Sequence, residues 1–268
     1  MHKGQIMNDR DQVAQSNRKL WEQEVEKGCG YTIPWLDVDI ATLHHYVQGK
    51  LEFLPEPLTC MYPADIFANV SGKDVICLAS GGGQQSVVFG LLGASVTVVD
   101  FCDGQLAGDR QAAEHYGYPV STIQADMRDL SMLAEKSFDI VYQANSVAYV
   151  PSIRDLYSEV KRIIKPGGLY RVCINQPSVQ FVDWDGEKYF ISKEYKETTD
   201  YRKSGVGVEF RHYMDDIFNG LLESGFTIKS VHESPFIHLA CYTDAPPGTW
   251  NHQRSFVAGE FVIIAEDI

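Results

Sequence analysis

The feature that most restricts the fold of this chain is an alternation of short apolar runs with helical stretches between Asp74 and Ile174. The runs are rich in β-branched side chains and recur roughly every 20 to 30 residues, which is typical of parallel strands joined by crossover helices. The predicted strands of this body are Val75–Ala79, Ser95–Asp100, Val120–Ile123, Phe138–Tyr142 and Leu169–Ile174. The helices predicted between them are Gln84–Leu92, Gly104–Tyr116 and Asp155–Ile164, the last closed by a turn at Lys165–Gly168.

The segments on either side of this body complete the predicted architecture. Two later strands, Phe226–His232 and Phe256–Ile264, bring the sheet to seven strands, and Met214–Ser224 is predicted as a further helix. We therefore expect an α/β fold with a doubly wound, mostly parallel seven-stranded sheet and helices on both faces. Residues 1–72 are predicted to form an N-terminal helical cap, and residues 73–268 a second domain with a cap insertion at about 177–213.

The charge balance of the chain disfavours some classes of partner. The formal net charge is −13, and such an acidic surface repels phosphate backbones and anionic lipid. No apolar run approaches the roughly 18 residues that span a bilayer, and the first residues lack the apolar core of a signal peptide. We expect a cytoplasmic protein with a small-molecule substrate, without nucleic-acid or membrane partners, and leave its oligomeric state open.

A glycine-rich turn follows the first strand of the body, at the edge where open α/β sheets bind ligands. No lysine follows Gly83, which excludes a P-loop, and Ser86 stands where a dinucleotide-binding turn has its third glycine. S-adenosylmethionine, which has no phosphate, requires only a close approach to the backbone. The turn alone leaves a dinucleotide and S-adenosylmethionine as alternatives.

Two carboxylates at later strand ends add to this signal. Asp100 ends the second strand, where it can accept hydrogen bonds from the ribose hydroxyls of either cofactor. Asp126 follows the third strand, where its carboxylate can accept from an adenine amino group while Met127 packs on the ring. This third element favours S-adenosylmethionine.

Together these residues resemble the class I, Rossmann-like S-adenosylmethionine-dependent methyltransferases, and more narrowly a bacterial branch of mostly unassigned substrate. The resemblance covers roughly Asp74 to Ile174 and departs from the family pattern at Cys77, where an acid is usual, and at Ala79, where a glycine is usual. It implies that the turn contacts the methionine part, and that residues after the second, third and fourth strands contact the ribose, the adenine and the sulfonium. The implied cofactor-binding residues are Ala79, Ser80, Gly81, Gly82, Gly83, Gln84, Asp100, Phe101, Gln105, Ala125, Asp126, Met127, Gln143 and Ala144.

The substrate side has weaker signals, because methyl transfer from an activated cofactor requires no fixed catalytic signature. Aromatic residues of the cap segments are interpreted as a cover that excludes water, and two histidines as candidate bases. These candidates are Trp21, Tyr31, Trp35, His44, Trp184, Tyr189 and His212. No metal is expected. The alternative functions are an NAD(P)-binding oxidoreductase and a non-catalytic, cofactor-binding regulator.

Overall fold

The computed structural model describes residues 3–201, 205–236 and 244–268, so part of the predicted insertion lies outside the described residues. Most elements of the body have bounds within two residues of those predicted from the sequence. In chain order the first elements are α1 (Lys3–Glu26), α2 (Ile40–Val47), β1 (Asp74–Leu78), α3 (Gln85–Leu91), β2 (Ser95–Asp100), α4 (Asp103–Tyr116), β3 (Val120–Gln124), β4 (Phe138–Gln143), α5 (Ile153–Ile163) and β5 (Ile164–Asn175).

The C-terminal third adds short hairpin strands and then the last strands of the central sheet. The remaining elements are β6 (Val182–Trp184), β7 (Tyr189–Ile191), β8 (Thr199–Tyr201), β9 (Val208–Phe210), α6 (Met214–Glu223), β10 (Phe226–Glu233), α7 (Trp250–Gln253) and β11 (Glu260–Asp267). The strands β6 and β7 form one antiparallel pair and β8 and β9 another, within the segment predicted to be inserted.

The central sheet has the seven strands predicted, in the order β10-β11-β5-β4-β1-β2-β3. The pairs from β5 to β3 are parallel, whereas β11 runs antiparallel to both β5 and β10. The chain order reverses between β1 and β4, so the carboxyl ends of these strands border the crevice where α/β sheets of this kind bind ligands.

Strand β1 shows why both faces of the sheet carry helices. Val75 and Cys77 are fully buried in one apolar cluster, which includes Leu43 of α2 and Phe89 of α3. Ile76 and Leu78 are fully buried in a second cluster, which includes residues of α5 and α6. Alternate side chains of one strand therefore enter two different cores, as a doubly wound fold requires.

Two predicted boundaries are wrong. The turn expected at Lys165–Gly168 lies inside β5, because Ile164 pairs with Phe138 and the chain then bulges at Gly167, whose φ is +74°, before pairing resumes at Leu169. The last strand begins at Glu260 rather than Phe256, because the antiparallel pairing with β5 starts there. Phe256 lies in a turn and is 67% exposed.

The N-terminal segment shares its core with the body. Leu43 and Tyr46 of α2 are buried in the same cluster as β1, and the Tyr46 hydroxyl donates a hydrogen bond of 2.7 Å to the Met61 carbonyl. The division of the chain at residue 72 stays a prediction, but these contacts link the stability of the two parts.

Replacing Leu43 with alanine tests that link. The side chain is fully buried beneath β1, and loss of a buried leucine typically destabilises by about 2–5 kcal/mol. We expect a fall of that size in the free energy of unfolding, measured with urea by a probe of the whole body. The control His44→Ala, at an exposed position of the same helix, should change it by less than about 0.5 kcal/mol. If the main urea-unfolding transition of Leu43→Ala had the same midpoint as that of the unmodified protein, the N-terminal segment would unfold separately from the body.

Candidate active site

The turn after β1 is held in place by the start of α4. The Gly81 amide donates to Oδ2 of Asp100 at 3.3 Å, and the Gly82 amide donates to the carbonyl of Gln105 at 2.9 Å. The other carboxylate oxygen of Asp100 accepts from the amide of Cys102 at 2.9 Å. Asp100 thus joins the backbone of the β1 turn to the start of α4, and burial raises its pKa to about 6.

The glycines of this turn are needed for packing within the protein. A Cβ on Gly81 would lie 2.5 Å from the Cβ of Gln105, and one on Gly83 would lie 2.3 Å from the carbonyl oxygen of Gly108. Gly83 also has a φ of +71°, a backbone conformation that residues other than glycine rarely adopt. The expectation that all three glycines serve close approach of a ligand is therefore incomplete, because the turn lies directly against α4.

A cavity of about 930 Å³ opens beside this turn, along the carboxyl ends of the central strands. Eleven of the fourteen predicted cofactor residues line it: Ala79, Ser80, Gly81, Gln84, Asp100, Phe101, Gln105, Ala125, Asp126, Met127 and Ala144. Gly82 and Gly83 instead contact Tyr31 and Gly108. Gln143 is fully buried behind the wall, where it donates to Ser146 Oγ at 3.1 Å and accepts from the Tyr170 hydroxyl.

Asp126 has a partner that sequence reasoning missed. Its carboxylate accepts both from the side-chain Nε of Arg128 at 2.9 Å and from the backbone amide of Arg128 at 3.0 Å. Both residues line the cavity. The arginine holds the carboxylate in one orientation, next to Met127 and after β3, the strand that pairs with β2 and Asp100.

Helix α1 and the strand β9 meet over one side of the cavity. Asn17, which is 1% exposed, accepts from the Val208 amide at 2.7 Å and donates to the Tyr149 carbonyl at 3.5 Å. The neighbouring Ser16 hydroxyl accepts from the Gly207 amide at 3.0 Å. Asn17 was not a sequence candidate, since a polar residue in a polar helix gives no signal of burial.

Of the seven predicted substrate residues, Trp21 and Tyr31 line the cavity. Trp35 is buried in the core beside α2, and His44 is exposed on α2. Trp184 and Tyr189 pack on His252, with ring centroids 5.8 and 5.5 Å apart respectively. His212 is buried, lies 3.2 Å from the Val147 carbonyl through Nε2, and has its pKa lowered by burial. These five residues are not part of the cavity wall.

The far side of the cavity is built from residues that carried no sequence signal. Strands β4, β5 and β11, the loop before β1 and the segment before β11 contribute Cys60, Tyr142, Arg171, Cys173, Asn175, Phe236, Trp250, Arg254 and Glu260. Arg254 forms an ion pair with Glu260, which is 2% exposed. These residues converge through strand register and through the packing of loops that are distant in the sequence, which adjacent sequence does not reveal.

Polar atoms without protein partners border the cavity on the turn side. Within the described ranges, Ser80 Oγ and Gln105 Oε1 are buried and have no hydrogen-bond partner. Buried polar atoms are rarely left unpaired in proteins. Together with the acceptors of Asp100, they fit a ligand rich in amino and hydroxyl groups, as S-adenosylmethionine is.

The described residues contain no group of three or more histidine, cysteine, aspartate or glutamate side chains arranged to hold a metal ion. The expected absence of a metal stays a prediction. In the same ranges no helix is both long and apolar enough to cross a membrane.

Comparisons with known proteins find methyltransferases among the proteins that this chain is similar to. Residues 76–172 match a family model described as a methyltransferase domain. A Bacillus subtilis (strain 168) protein named "Uncharacterized methyltransferase YbaJ" is 30% identical over 230 residues, which are 81% of this chain and 89% of that protein. A ubiquinone biosynthesis O-methyltransferase of Pseudomonas syringae pv. tomato is 28% identical over 169 residues, covering 61% of this chain and 72% of that protein.

Solved structures of methyltransferases share the fold. An S-adenosylmethionine-dependent methyltransferase from Mesorhizobium loti superposes with a TM-score of 0.62 at 22% identity, over 77% of this chain and 94% of that one. A geranyl diphosphate C-methyltransferase from Streptomyces coelicolor A3(2), in complex with Mg²⁺, geranyl diphosphate and S-adenosyl-L-homocysteine, gives 0.62 at 15% identity, over 96% and 98%.

The chain belongs to the class I S-adenosylmethionine-dependent methyltransferases. The relatives thus decide between the cofactors that the turn alone left open, and the predicted fold, enzyme class and cofactor are confirmed. The oxidoreductase and the non-catalytic regulator have no comparable support.

The contact between Gly83 and Gly108 gives a stability prediction. In Gly83→Ala the new Cβ meets a backbone carbonyl that cannot rotate away, and the positive φ adds strain. We expect destabilisation by about 3 kcal/mol, measured by urea unfolding. Gly117→Ala is the matched control, because Gly117 has a φ of +76° with no atom within 4 Å of its added Cβ. Equal losses in the two variants would show that the close contact contributes nothing beyond backbone strain.

Proposed function

We propose that this methyltransferase transfers a methyl group to a small molecule held entirely inside the cavity. The observation that carries the proposal is the size and cover of that cavity. Its volume of about 930 Å³ is near the upper end of ordinary ligand pockets, about 300–1,000 Å³, and leaves room for a second molecule beside the cofactor. Trp21 of α1, Tyr31 and Glu209 of β9 lie over it, which disfavours a macromolecular acceptor.

The cofactor side of the cavity is proposed to follow the family pattern. Asp100 accepts hydrogen bonds from the ribose hydroxyls, since each carboxylate oxygen has a second lone pair beyond the one used by a backbone amide. Asp126, oriented by Arg128, accepts from the adenine amino group, and Met127 packs against the ring. Ser80 and Gln105 supply the polar atoms that the protein itself leaves unpaired.

When bound, S-adenosylmethionine supplies an activated methyl group on a sulfonium. The protein then contributes by holding the acceptor in line with that methyl and by excluding water from the crevice. Ala144, at the end of β4, is proposed to border the methyl, with Tyr142 and Asn145 on the acceptor side. A cytoplasmic location, expected from the sequence, stays a prediction.

The proposal is tested by incubating the purified protein with isotopically labelled S-adenosylmethionine and a metabolite extract, then with individual small molecules. Formation of S-adenosylhomocysteine together with a labelled product below about 1 kDa supports a small acceptor. Label transferred only to protein or nucleic acid would overturn it.

Replacing Asp100 with alanine tests the assignment of the ribose contact. Loss of hydrogen bonds to a charged group typically removes about 1.5–3 kcal/mol, so S-adenosylhomocysteine should bind about ten- to hundredfold more weakly by calorimetry. Because the carboxylate also holds two backbone amides, the melting temperature is measured in parallel. Asp100→Asn, which keeps one acceptor, should recover part of the affinity. Unchanged binding in a folded Asp100→Ala protein would disprove the role.

The raised pKa of Asp100 predicts a pH dependence of cofactor binding. Burial favours the neutral carboxyl, and its pKa of about 6 lies above the ordinary value of 3.8, whereas ribose hydroxyls favour the ionised form. Affinity should therefore be complete above pH 7 and fall as the pH is lowered through about 6, with proton release on binding in that range.

The neighbouring Asp109 provides the control for this titration. Burial raises its pKa to about 7, and its carboxylate accepts from the Ser86 hydroxyl at 2.5 Å, away from the cavity wall. Asp109→Asn should leave the fall near pH 6 in place, whereas Asp100→Asn should flatten it. If the affinity of the unmodified protein for the cofactor did not change with pH in this range, an ionised Asp100 could not be the acceptor for the ribose hydroxyls.

A further inference from the structure

Arg171 lies on β5 at the side of the cavity opposite the cofactor turn. The face of β5 that carries it also carries Cys173 and Asn175, and all three line the cavity. In the sheet Arg171 pairs with Tyr142 of β4, two residues before Ala144. It is 2% exposed, so its guanidinium is buried close to the end of the strand that borders the transferred methyl.

The hydrogen bonds of Arg171 go to neutral groups. Its Nε donates to the Tyr62 carbonyl at 3.0 Å, Nη1 to the Gln143 carbonyl at 3.1 Å, and Nη2 to the Cys60 carbonyl at 3.3 Å. The guanidinium carbon lies 4.6 Å from the centre of the Tyr142 ring. A guanidinium has five N–H groups, so one on each Nη remains after these bonds.

No carboxylate pairs with Arg171 within the ranges that the structure describes. The other arginines on the cavity wall differ, since Arg128 is paired with Asp126 and Arg254 with Glu260. Carbonyl dipoles and an aromatic ring offset part of the desolvation of a buried guanidinium, but they leave its full positive charge. A planar carboxylate is the group whose geometry matches two N–H groups on the two Nη atoms.

That charge acts on the surrounding wall. Burial raises the pKa of Tyr142 and of Cys173, and in both cases the charge of Arg171 acts in the opposite direction. Both groups are neutral at physiological pH and cannot compensate the cation. The acid on the same face of the sheet, Glu260, lies opposite Asn175 and is already paired with Arg254. Asp65 acts on the same His232 ring as Arg171, but no ion pair joins the two, so among the described residues the guanidinium has no direct counterion.

We infer that the methyl acceptor carries a carboxylate, and that Arg171 binds it on the acceptor side of the cavity. The inference rests on the proposed small-molecule function and adds the chemical class of the substrate. Binding the carboxylate there would neutralise the buried cation and fix one end of the acceptor while its nucleophilic atom faces the methyl near Ala144. Arg171 is thus a specificity-determining residue.

The test compares matched pairs of carboxylates and carboxamides, which have the same shape but differ in charge. Benzoate with benzamide, and indole-3-acetate with indole-3-acetamide, are titrated into the protein saturated with S-adenosylhomocysteine at pH 8, by calorimetry or ligand-observed NMR. We expect the carboxylate of at least one pair to bind about tenfold or more tightly than its amide, the scale of a charged hydrogen bond. Arg171→Gln should abolish the preference, and Arg171→Lys, which keeps the charge, should retain part of it.

Arg211 provides a matched control for the loss of a buried arginine. It is 5% exposed, stacks at 3.8 Å from the centre of the Phe181 ring, and is not part of the cavity wall. Arg211→Gln should keep the carboxylate preference even if it lowers the melting temperature. If Arg171→Gln does not fold, the unmodified protein still decides the question. It should prefer the carboxylate to the amide, and added chloride should weaken that preference.

The outcomes separate this inference from the proposed function. Failure of the unmodified protein to bind S-adenosylhomocysteine would count against the cofactor site itself. The protein could instead bind S-adenosylhomocysteine normally but bind the carboxylate and the amide of each pair equally, or bind none of them. Either result would overturn the carboxylate assignment alone. If folded Arg171→Gln still preferred the carboxylate to the amide, the assignment would also be overturned. Arg171 would then have only a structural role, through its hydrogen bonds to the Cys60 and Tyr62 carbonyls.

Discussion

The contact of the β1 turn with the start of α4 is the constraint on which the rest of the site depends. A Cβ added to Gly83 would meet the backbone of Gly108, and one added to Gly108 would meet the backbone of Gly82, so neither position has room for a side chain. The Gly82 amide bonds to the Gln105 carbonyl, and Asp100 joins the turn to the beginning of α4 through Gly81 and Cys102. Contacts within the protein thereby hold the edge of the crevice, so the conformation of this turn does not depend on the cofactor alone.

Sequence reasoning located the body well because its strands are buried on both faces. In β1 every residue after Asp74 is apolar, and β2 has three valines and a threonine among its six residues, so the run itself marks the element and the next helix marks its end. The errors occur where backbone pairing overrides local signals. A Pro-Gly-Gly sequence after α5 predicts a turn, yet Ile164 pairs with Phe138 and the glycines form a bulge within β5. The start of β11 likewise depends on its antiparallel partner rather than on its own residues.

The position of the proposed cofactor residues on the cavity wall could be predicted because they follow strand ends in a fixed order. Asp100, Asp126 and Ala144 lie at one sheet edge whatever the loops do. The acceptor side has no such rule. Trp35, Trp184 and Tyr189 were selected for being aromatic, but aromatic residues in a cap more often pack with one another than face a ligand. Arg171 was missed because a single arginine in an apolar strand shows neither its burial nor the carbonyls it bonds.

The N-terminal segment contributes to the cavity from both directions. Its first helix lies over the opening, where Asn17 joins α1 to β9 and to the turn after β4. Its later part lies beneath, where the Cys60 and Tyr62 carbonyls accept from Arg171. Leu43 and Tyr46 of this segment share an apolar cluster with residues of β1, so the segment is packed on the same core as the central sheet. Acceptor selectivity and fold stability therefore depend on one segment, and substitutions in it should be assessed for both.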